Sequence, residues 1–361
     1  MADKILIFPA GMPRSLQFLE ECKRSGRIVV GASSLNEDAS VKHYSTWVFL
    51  PFLGEQNFDE ALSEVIINHN IDMIFTPNFV VWDYLKTALH SIASEVSLVN
   101  DSPIKVELAP YRSAQEFSQL VFKQNLKLLN ENAHQYSAID LLKIASLFRH
   151  AETIPGMCDH EKIRALIEIS RHCPEGDIVE IGTWWGKSAF VFLELARLNN
   201  IGNVLCVDPW RDEDLVQGQK IVDLVSAQCS ADEAFEVFKL NLLPYVKNDL
   251  NYLRLQSVEG AGEYRQHKII STAEFGDVKF CGKISILHVD GNHSYLSAKA
   301  DLEAWAGFVV ENGWVVMDDY IWPYGDGPKR AGDEFKLHYT NKISNSFVMG
   351  SALFMQLHTA L

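Results

Sequence analysis

Apolar runs and amphipathic stretches alternate along the chain in two blocks. In the first block, short runs rich in Ile, Val and Phe predict buried strands at residues 4–8, 27–33, 47–50 and 71–76. Between them, apolar residues at helical spacing predict helices at 15–25 and 58–69. Strands that alternate with helices are typical of βαβ units and a parallel sheet. Residues 1–105 are therefore predicted to form a small, doubly wound α/β domain.

The next segment, residues 106–160, contains no strand-like run. Its leucines recur at helical spacing, which predicts a helical connector. A second alternating block follows at residues 161–361. It predicts helices at 161–172, 188–198 and 232–246, and strands at 177–181, 203–207, 252–255, 284–289 and 314–317. Two further strand-like runs, at 343–348 and 352–357, predict a closing antiparallel pair. The second block therefore predicts a larger Rossmann-like α/β sheet with helices on both faces.

Composition and charge narrow the classes of function. The chain has 361 residues with 32 Lys and Arg against 47 Asp and Glu, a net charge of −15. No basic block is present, which disfavours a nucleic-acid partner. Most of the acidic excess lies in the C-terminal half, where a cationic ligand or a metal would be favoured. No apolar run approaches the roughly 20 residues of a membrane span, so no membrane partner is expected.

The cysteines and the N-terminus bear on the cellular compartment. The six cysteines are scattered, with no C-x-x-C pair, which fits a reducing environment and disfavours a thiolate zinc site. The N-terminal apolar stretch is too short for a signal peptide. A cytoplasmic location is therefore expected.

A glycine-containing loop is the first candidate for chemistry. In VEIGTWWGKSAF, residues 179–190, a buried strand ends in a loop with Gly182 and Gly186, and a helix follows. Such a unit lets the backbone approach a ligand at the carboxyl end of a sheet. Its G-x-x-x-G spacing differs from the G-x-G-x-x-G of dinucleotide folds, which disfavours an NAD-dependent oxidoreductase. Glu180 suits an amino-acid ammonium, and Asp208, ending the next strand, could accept from ribose hydroxyls. The alternative is an ordinary α/β turn with Trp184 and Trp185 in the core.

Acidic residues follow two other predicted strands. Asp290 stands in HVDGNHSY, and Asp318 and Asp319 stand in GWVVMDDY. The ends of neighbouring parallel strands lie side by side, so three carboxylates are expected in one cleft, where a divalent cation would offset their repulsion. Oxygen ligands favour Mg²⁺, Ca²⁺ or Mn²⁺. The alternative for the aspartate pair is an ordinary helix N-cap, and for His293 a capping role.

Other histidines and tryptophans receive structural roles. His288 and His160 are interpreted as structural. Core or cleft-wall positions are expected for Trp305, Trp314 and Trp322.

Together these segments resemble class I S-adenosylmethionine-dependent methyltransferases, and among them the metal-dependent sugar O-methyltransferases of the macrocin and mycinamicin type. The likeness covers about residues 155–361. It depends on the EIGTWWGKS loop, the D-G-x-H-S-Y segment, the D-D-Y strand end and the G-P-x-x-A-x-x-E-F tail.

The resemblance implies a set of site residues. Mg²⁺ would bind to Asp290, Asp318 and Asp319, and His293 would be the general base, with Asp290 as the alternative base. Ser257 would lie near the adenine of S-adenosylmethionine, and Met157 near its methionine end. The expected cofactor contacts are Met157, Glu180, Gly182, Thr183, Trp184, Gly186, Ser188, Asp208 and Ser257.

The implied reaction is methylation of a hydroxyl on a sugar or another small hydroxylated metabolite. The metal would lower the pKa of the hydroxyl, the base would take its proton, and the alkoxide would attack the sulfonium methyl group. Two alternatives stay open: a metal-independent methyltransferase, or a nucleotide- or metabolite-binding protein that uses the N-terminal domain. No motif identifies the acceptor, and the resemblance leaves a homo-oligomer open.

The first block resembles the pre-ATP-grasp domain of carbamoyl-phosphate synthetase-type enzymes. The likeness covers about residues 3–100 and includes ILIFPAGMPRSLQFLEECKRSGRIVVGASS and IDMIFTPN. Pro9 stands where a glycine is common and removes a backbone donor from the first loop. Only about 70 residues separate this block from the loop strand, too few for a ligase module. The domain is therefore interpreted as a scaffold, a substrate-recognition lobe or an oligomerisation surface.

Overall fold

A computed structural model describes residues 3–124, 126, 140–215, 223 and 228–361. The chain divides into two compact units, Met1–Arg112 and Ser113–Leu361. Within the described ranges, every helix is too short or too polar to cross a bilayer.

The N-terminal unit is a five-stranded parallel sheet with helices. Its elements are β1 Lys4–Ile7, α1 Pro13–Arg24, β2 Ile28–Ser33, β3 Trp47–Phe49, α2 Phe58–His69, β4 Met73–Phe75, α3 Phe79–Ile92 and β5 Ser97–Leu98. The strand order is β3-β2-β1-β4-β5, and all neighbours are parallel. Helix α4, Pro103–Lys123, follows and contains the boundary between the units.

Alternation along the strands explains why this sheet is covered on both faces. Leu6 packs in one buried apolar cluster with Val30 and Ile74, whereas Ile5 packs in a second with Val29. Successive side chains of a strand point to opposite faces. Since both faces are apolar, helices must cover both of them, as expected for a doubly wound domain.

The C-terminal unit is larger and contains a mixed seven-stranded sheet. Its elements are α5 Leu141–Ala151, α6 His160–Ser170, β6 Asp177–Ile181, α7 Lys187–Asn199, β7 Val204–Val207, α8 Ala231–Leu242, β8 Leu250–Leu253, α9 Ser257–Gln266, β9 Ile269–Thr272, β10 Gly276–Lys279, β11 Ile284–Val289, α10 Tyr295–Trp305, β12 Val309–Met317, α11 Gly327–His338, β13 Ile343–Met349 and β14 Ala352–Leu357. The strand order is β13-β14-β12-β11-β6-β7-β8, with β9 and β10 in a separate hairpin.

The sheet confirms the predicted α/β class and the predicted closing pair. Five strands form a parallel set in the order β12-β11-β6-β7-β8. Strand β14 runs antiparallel to both β12 and β13. The chain proceeds from β6 outward to β8 on one side, and then returns to place β11 on the other side of β6. Ligands bind at such a reversal in open α/β sheets, at the carboxyl ends of the strands.

Polar residues interrupt one face of this sheet. Ile178, Ile286 and Val316 belong to one large apolar cluster. Two residues further along the same strands, on the same face, stand Glu180, His288 and Asp318. Register places His288 beside Glu180 on one side and beside Val316 on the other. A polar row therefore ends an otherwise apolar layer, at the edge where a ligand is expected.

Candidate active site

Gly182 allows the ends of β6 and β11 to touch. Its φ of +78° lies in the left-handed region, and a Cβ atom there would lie 2.0 Å from the carbonyl oxygen of Asp290. Only glycine tolerates both the backbone conformation and this contact. The predicted cofactor loop therefore lies directly against the first residue of the predicted acidic site.

Asp208 holds the same loop through hydrogen bonds to the backbone. Its Oδ2 accepts from the N–H groups of Thr183 (2.9 Å) and Trp184 (3.0 Å), and its Oδ1 accepts from Trp210 N–H (2.9 Å). Burial raises the pKa of Asp208 above its usual value, although these hydrogen bonds oppose that effect. A carboxylate has about four lone-pair positions. Three bonds to the backbone therefore leave room for one further donor.

The remaining predicted cofactor contacts lie at the end of the loop, in the first turn of α7, before α6 and at the start of α9. Gly186 ends the loop and Ser188 lies in the first turn of α7. Met157 precedes α6 and is 92% exposed. A Cβ atom on Gly156 would lie 3.1 Å from the Cβ of Lys187, so the segment that carries Met157 contacts the start of α7. Ser257 begins α9, and its Oγ accepts a hydrogen bond from Trp305 Nε1 (3.0 Å).

The acidic residues lie at the ends of β11 and β12. Asp318 N–H donates to Val289 O (2.9 Å), which continues the pairing of the two strands by one step. Asp319 has a φ of +48°, which aspartate tolerates better than most residues, and its N–H donates to Asp318 Oδ1 (2.9 Å). The chain therefore turns sharply at Asp319, and this carboxylate comes to lie beside His293.

We call Asp290, His293 and Asp319 the outer cluster. Each offers a ligand atom, and the three atoms lie within 4.8 Å of one another. His293 Nε2 lies 2.8 Å from Asp319 Oδ2, and all three side chains are partly exposed. The imidazole of His293 packs against the indole of Trp322, with ring centroids 4.4 Å apart.

We call His288, Asp290 and Asp318 the inner cluster, which shares Asp290 with the outer one. Its three ligand atoms also lie within 4.8 Å of one another. The Lys162 ammonium contacts Asp318 Oδ2 and lies 4.0 Å from Asp290 Oδ2. His288 Nε2 lies 3.4 Å from Asp318 Oδ2, and its Nδ1 lies 3.0 Å from Glu180 Oε1. Lys162, His288 and Glu180 are almost completely buried.

Electrostatics at the inner cluster are governed by Lys162. Burial opposes ionisation of Asp318, yet the Lys162 ammonium outweighs this and holds the pKa of Asp318 well below its usual range. Burial would favour the neutral amine of Lys162, but Asp318 and Asp290 hold its pKa well above the usual value. For Asp290, desolvation and the Asp318 charge raise the pKa well above its usual value. Asp290 therefore holds a proton more tightly than an ordinary aspartate does, whereas Asp318 stays ionised beside the Lys162 ammonium.

The donor atoms of the outer cluster fit a divalent cation. Two carboxylates that leave space for water or substrate oxygens are a usual set for Mg²⁺. Asp318, the third predicted metal ligand, is engaged elsewhere. Its Oδ2 contacts Lys162, and its Oδ1 accepts from Ser351 Oγ (2.9 Å) as well as from Asp319 N–H. The structure brings Asp290, Asp319 and His293 together, and it places Asp318 on the buried side of Asp290.

Lys162 and Ser351 do not appear among the sequence-predicted site residues, and His288 was interpreted as structural. Lys162 precedes Leu166, a fully buried residue of α6, by four positions. Residues four apart share a helix face, so a lysine on the buried face of a helix was visible in the sequence. His288 was visible as a polar residue inside an apolar strand, but Ser351 belongs to a turn that carries no comparable signal.

Glu180, predicted to face an amino-acid ammonium, is completely buried beneath the loop. Its Oε1 lies beside His288 Nδ1. Trp305 and Trp314 are fully buried as expected, and Trp322 is the cleft-wall residue beside His293.

Comparisons with known proteins agree with the fold of this unit. Residues 179–320 match the model of a methyltransferase domain family. Among curated proteins, none matches the chain.

Solved structures with some likeness include three methyltransferases. The O-methyltransferase NovP is 18% identical, with a TM-score of 0.39, over 71% of this chain and 99% of that one. CalS11, a TDP-rhamnose 3'-O-methyltransferase of calicheamicin biosynthesis, is 16% identical, with a TM-score of 0.34, over 72% and 96%. MycE of the mycinamycin pathway, solved with Mg and SAH, is 12% identical, with a TM-score of 0.32, over 54% and 47%. These scores are low, so the assignment depends on the family match.

That match begins within β6 and covers the glycine-containing loop, the chain reversal at β11 and both acidic segments. The sheet is mostly parallel, with β14 antiparallel to both β12 and β13, which agrees with a Rossmann-like class I fold. The C-terminal unit therefore has a Rossmann-like class I fold, and residues 179–320 within it are similar to a methyltransferase domain.

Proposed function

We propose that the chain transfers a methyl group from S-adenosylmethionine to a hydroxyl oxygen of a sugar or another small hydroxylated metabolite, with the help of a divalent cation. The observation that carries this proposal is the outer cluster. It stands at the carboxyl edge of a methyltransferase sheet, directly against the loop of Gly182. An acidic, partly exposed group at that place suits an acceptor hydroxyl and a cation together.

The donor half of the reaction uses the loop between β6 and α7. In this proposal Asp208 fixes the backbone of Thr183 and Trp184 and accepts one hydrogen bond from a ribose hydroxyl. Ser257 lies near the adenine, and the exposed Met157 lies near the methionine end. A loop fixed before the donor arrives reduces the entropy lost on binding.

The acceptor half uses the outer cluster. Asp290 and Asp319 would hold Mg²⁺ or Mn²⁺, which when bound lowers the pKa of a hydroxyl, as metals do for water. His293 accepts the proton of the hydroxyl, and the adjacent Asp319 carboxylate orients the ring and stabilises the resulting imidazolium. The chain's main contribution is to hold the oxygen in line with the methyl group.

The acceptor itself would lie along an aromatic wall. Trp322 contacts His293, and the ring of Tyr324 lies 5.6 Å from that of Trp322 between centroids. Ile321 and Tyr324 are exposed beside them. An apolar wall next to polar groups is typical of a small-molecule site, and it suits the C–H face of a sugar ring.

The test is methyl transfer from isotopically labelled S-adenosylmethionine to a metabolite extract, followed by mass spectrometry of the labelled product. EDTA should abolish labelling, and Mg²⁺ should restore it. Asp290→Asn should abolish labelling while calorimetric binding of S-adenosylmethionine stays nearly unchanged. Asp277→Asn, at an exposed position on β10, is the matched control. Full activity after chelation would refute the metal part of the proposal and favour a metal-independent methyltransferase.

A further inference from the structure

The inner and outer clusters share Asp290, but only the inner cluster contains a positively charged side chain in direct contact with one of its ligands. The inner cluster has an ammonium seated in it, that of Lys162. The outer cluster is open to solvent at all three of its side chains. A divalent cation in the inner cluster would therefore compete with the ammonium for Asp318, whereas the outer cluster does not include Asp318.

The inner cluster is built as a closed ionic site. Lys162 is 1% exposed, and its ammonium has the Asp318 carboxylate in direct contact. The buried His288 Nε2 points into the same group, 3.4 Å from Asp318 Oδ2 but without hydrogen-bond geometry. Burying a lysine and an aspartate is tolerated only when they pair with each other. Lys162 and Asp318 meet that condition.

Lys162 is also held in place by its backbone. Asp159 begins α6, and its Oδ1 accepts from Lys162 N–H (2.9 Å). The other oxygen of Asp159 accepts from Ser351 N–H (3.3 Å), and Ser351 Oγ donates to Asp318. The same turn thus fixes both partners of the ion pair. Release of Asp318 to a metal would require the ammonium to leave a closed site.

Building on the proposed function, we propose that Lys162 is the resident cation of the inner cluster. One divalent cation then binds to this chain, at Asp290 and Asp319, and Asp318 binds Lys162 instead of a metal. The lysine occupies the position where a second cation would otherwise bind. It also limits the negative charge that reaches Asp290, the ligand shared by both clusters.

The experiment is Mn²⁺ titration of the full chain, with free Mn²⁺ measured by electron paramagnetic resonance. Wild type should bind one equivalent. The double variant Lys162→Met/Asp318→Asn removes both partners of the buried pair and so leaves no unpaired charge. It should also bind one equivalent, with a Kd within threefold of the wild-type value. Lys162→Met alone should bind two equivalents, because it opens the inner cluster. Asp290→Asn should weaken binding at least tenfold.

The controls separate misfolding from a wrong assignment. Lys239→Met, on α8, removes a lysine paired with Glu236 and Glu274, and should leave Mn²⁺ binding unchanged. Calorimetric binding of S-adenosylmethionine shows that each variant is folded. If Lys162→Met fails to fold, the double variant decides. Loss of Mn²⁺ affinity by tenfold or more in a folded double variant would show that Asp318 is a metal ligand. This result would overturn the inference but would leave the proposed function standing.

Two further outcomes are informative. One equivalent in a folded Lys162→Met variant would also overturn the inference, because the inner cluster would then not be a cation site. Absence of Mn²⁺ binding in wild type would instead remove the metal from the proposed function, and this inference with it.

Discussion

His293 Nε2 lies 2.8 Å from Asp319 Oδ2, so the proposed base and a proposed metal ligand form one polar pair. A change in the charge of either side chain therefore alters the electrostatic environment of the other, which links proton transfer at His293 to metal binding at Asp319. The shared position suits a base that must become positively charged for a short time next to a fixed carboxylate.

Replacing His293 tests its role as the base. His293→Ala should lower the rate of methyl transfer about 10²–10⁴-fold, the range expected for loss of a general base. Binding of S-adenosylmethionine should change less than about threefold, since His293 is assigned to the acceptor side. The comparison is His160→Ala, a histidine paired with Glu152 at the start of α6, which should leave both values unchanged. Equal rates for the two variants would exclude His293 as the base.

Asp208 should stabilise both the loop and the bound donor. Asp208→Ala leaves three backbone N–H groups without an acceptor, which should cost about 2–3 kcal/mol in the free energy of unfolding. Affinity for S-adenosylmethionine should fall at least tenfold. Asp208→Asn keeps one acceptor oxygen and should have a smaller effect on stability. Urea unfolding and calorimetry measure the two quantities, and a larger loss with Asn than with Ala would contradict this account.

Gly182 should not tolerate a side chain. In Gly182→Ala the new Cβ atom meets the Asp290 carbonyl, and the backbone stays at a positive φ. We expect a loss of more than about 2 kcal/mol in stability, with weaker binding of both donor and metal, because the strand ends must separate. Gly262→Ala, inside α9, meets no atom within 4 Å and should stabilise the protein by up to about 1 kcal/mol. Thermal unfolding distinguishes the two.

Asp301 should make stability depend on pH. Burial raises the pKa of this carboxyl on α10 to about 6. Because the folded value lies above the unfolded one, the native state binds more protons between about pH 4 and 6, and the contribution of Asp301 to stability falls as pH rises through that window. A shift of about 2 units corresponds to about 3 kcal/mol at neutral pH.

The variant Asp301→Asn isolates that contribution. Its stability relative to wild type, measured as the difference in free energy of unfolding, should increase by up to about 3 kcal/mol between pH 4 and pH 7. Urea unfolding at several pH values gives the difference curve. Asp277→Asn, at an exposed site, should show no such slope. A flat curve for Asp301→Asn would show that the carboxyl titrates near its unfolded value.

Local patterns predicted the central strands well. The strand at 177–181 was predicted with the same bounds that the structure has, and the same is true of 284–289. Both are rich in Ile, Val or Leu and are buried at every position, which is typical of strands covered on both faces. The hairpin β9–β10 escaped prediction because its strands are short and alternate with polar residues. Helix α10 escaped because its segment follows the polar loop after Asp290 without a clear apolar face.

Among the site residues, too, those marked by a local sequence pattern were predicted, and those that depend on long-range packing were not. Asp290 and Asp319 were predicted because each follows an apolar run, and strand ends meet at one edge of a sheet. Lys162 and Asp318 are 156 residues apart, and their contact depends on how α6 packs against the sheet. The sequence shows only that a lysine lies on an apolar helix face, and it does not show which carboxylate faces it.

The turn between β13 and β14 has a consequence for the order of assembly. Ser351 donates to Asp318 and to Asp159, and its carbonyl accepts from Ile321 N–H (2.9 Å). During synthesis the loop of Gly182 and the aspartates of β11 and β12 emerge long before this serine. A nascent chain that ends before Ser351 therefore carries both halves of the inner ion pair without the turn that holds them. The inner ion pair therefore reaches its final hydrogen bonding only after the β13–β14 turn has been made.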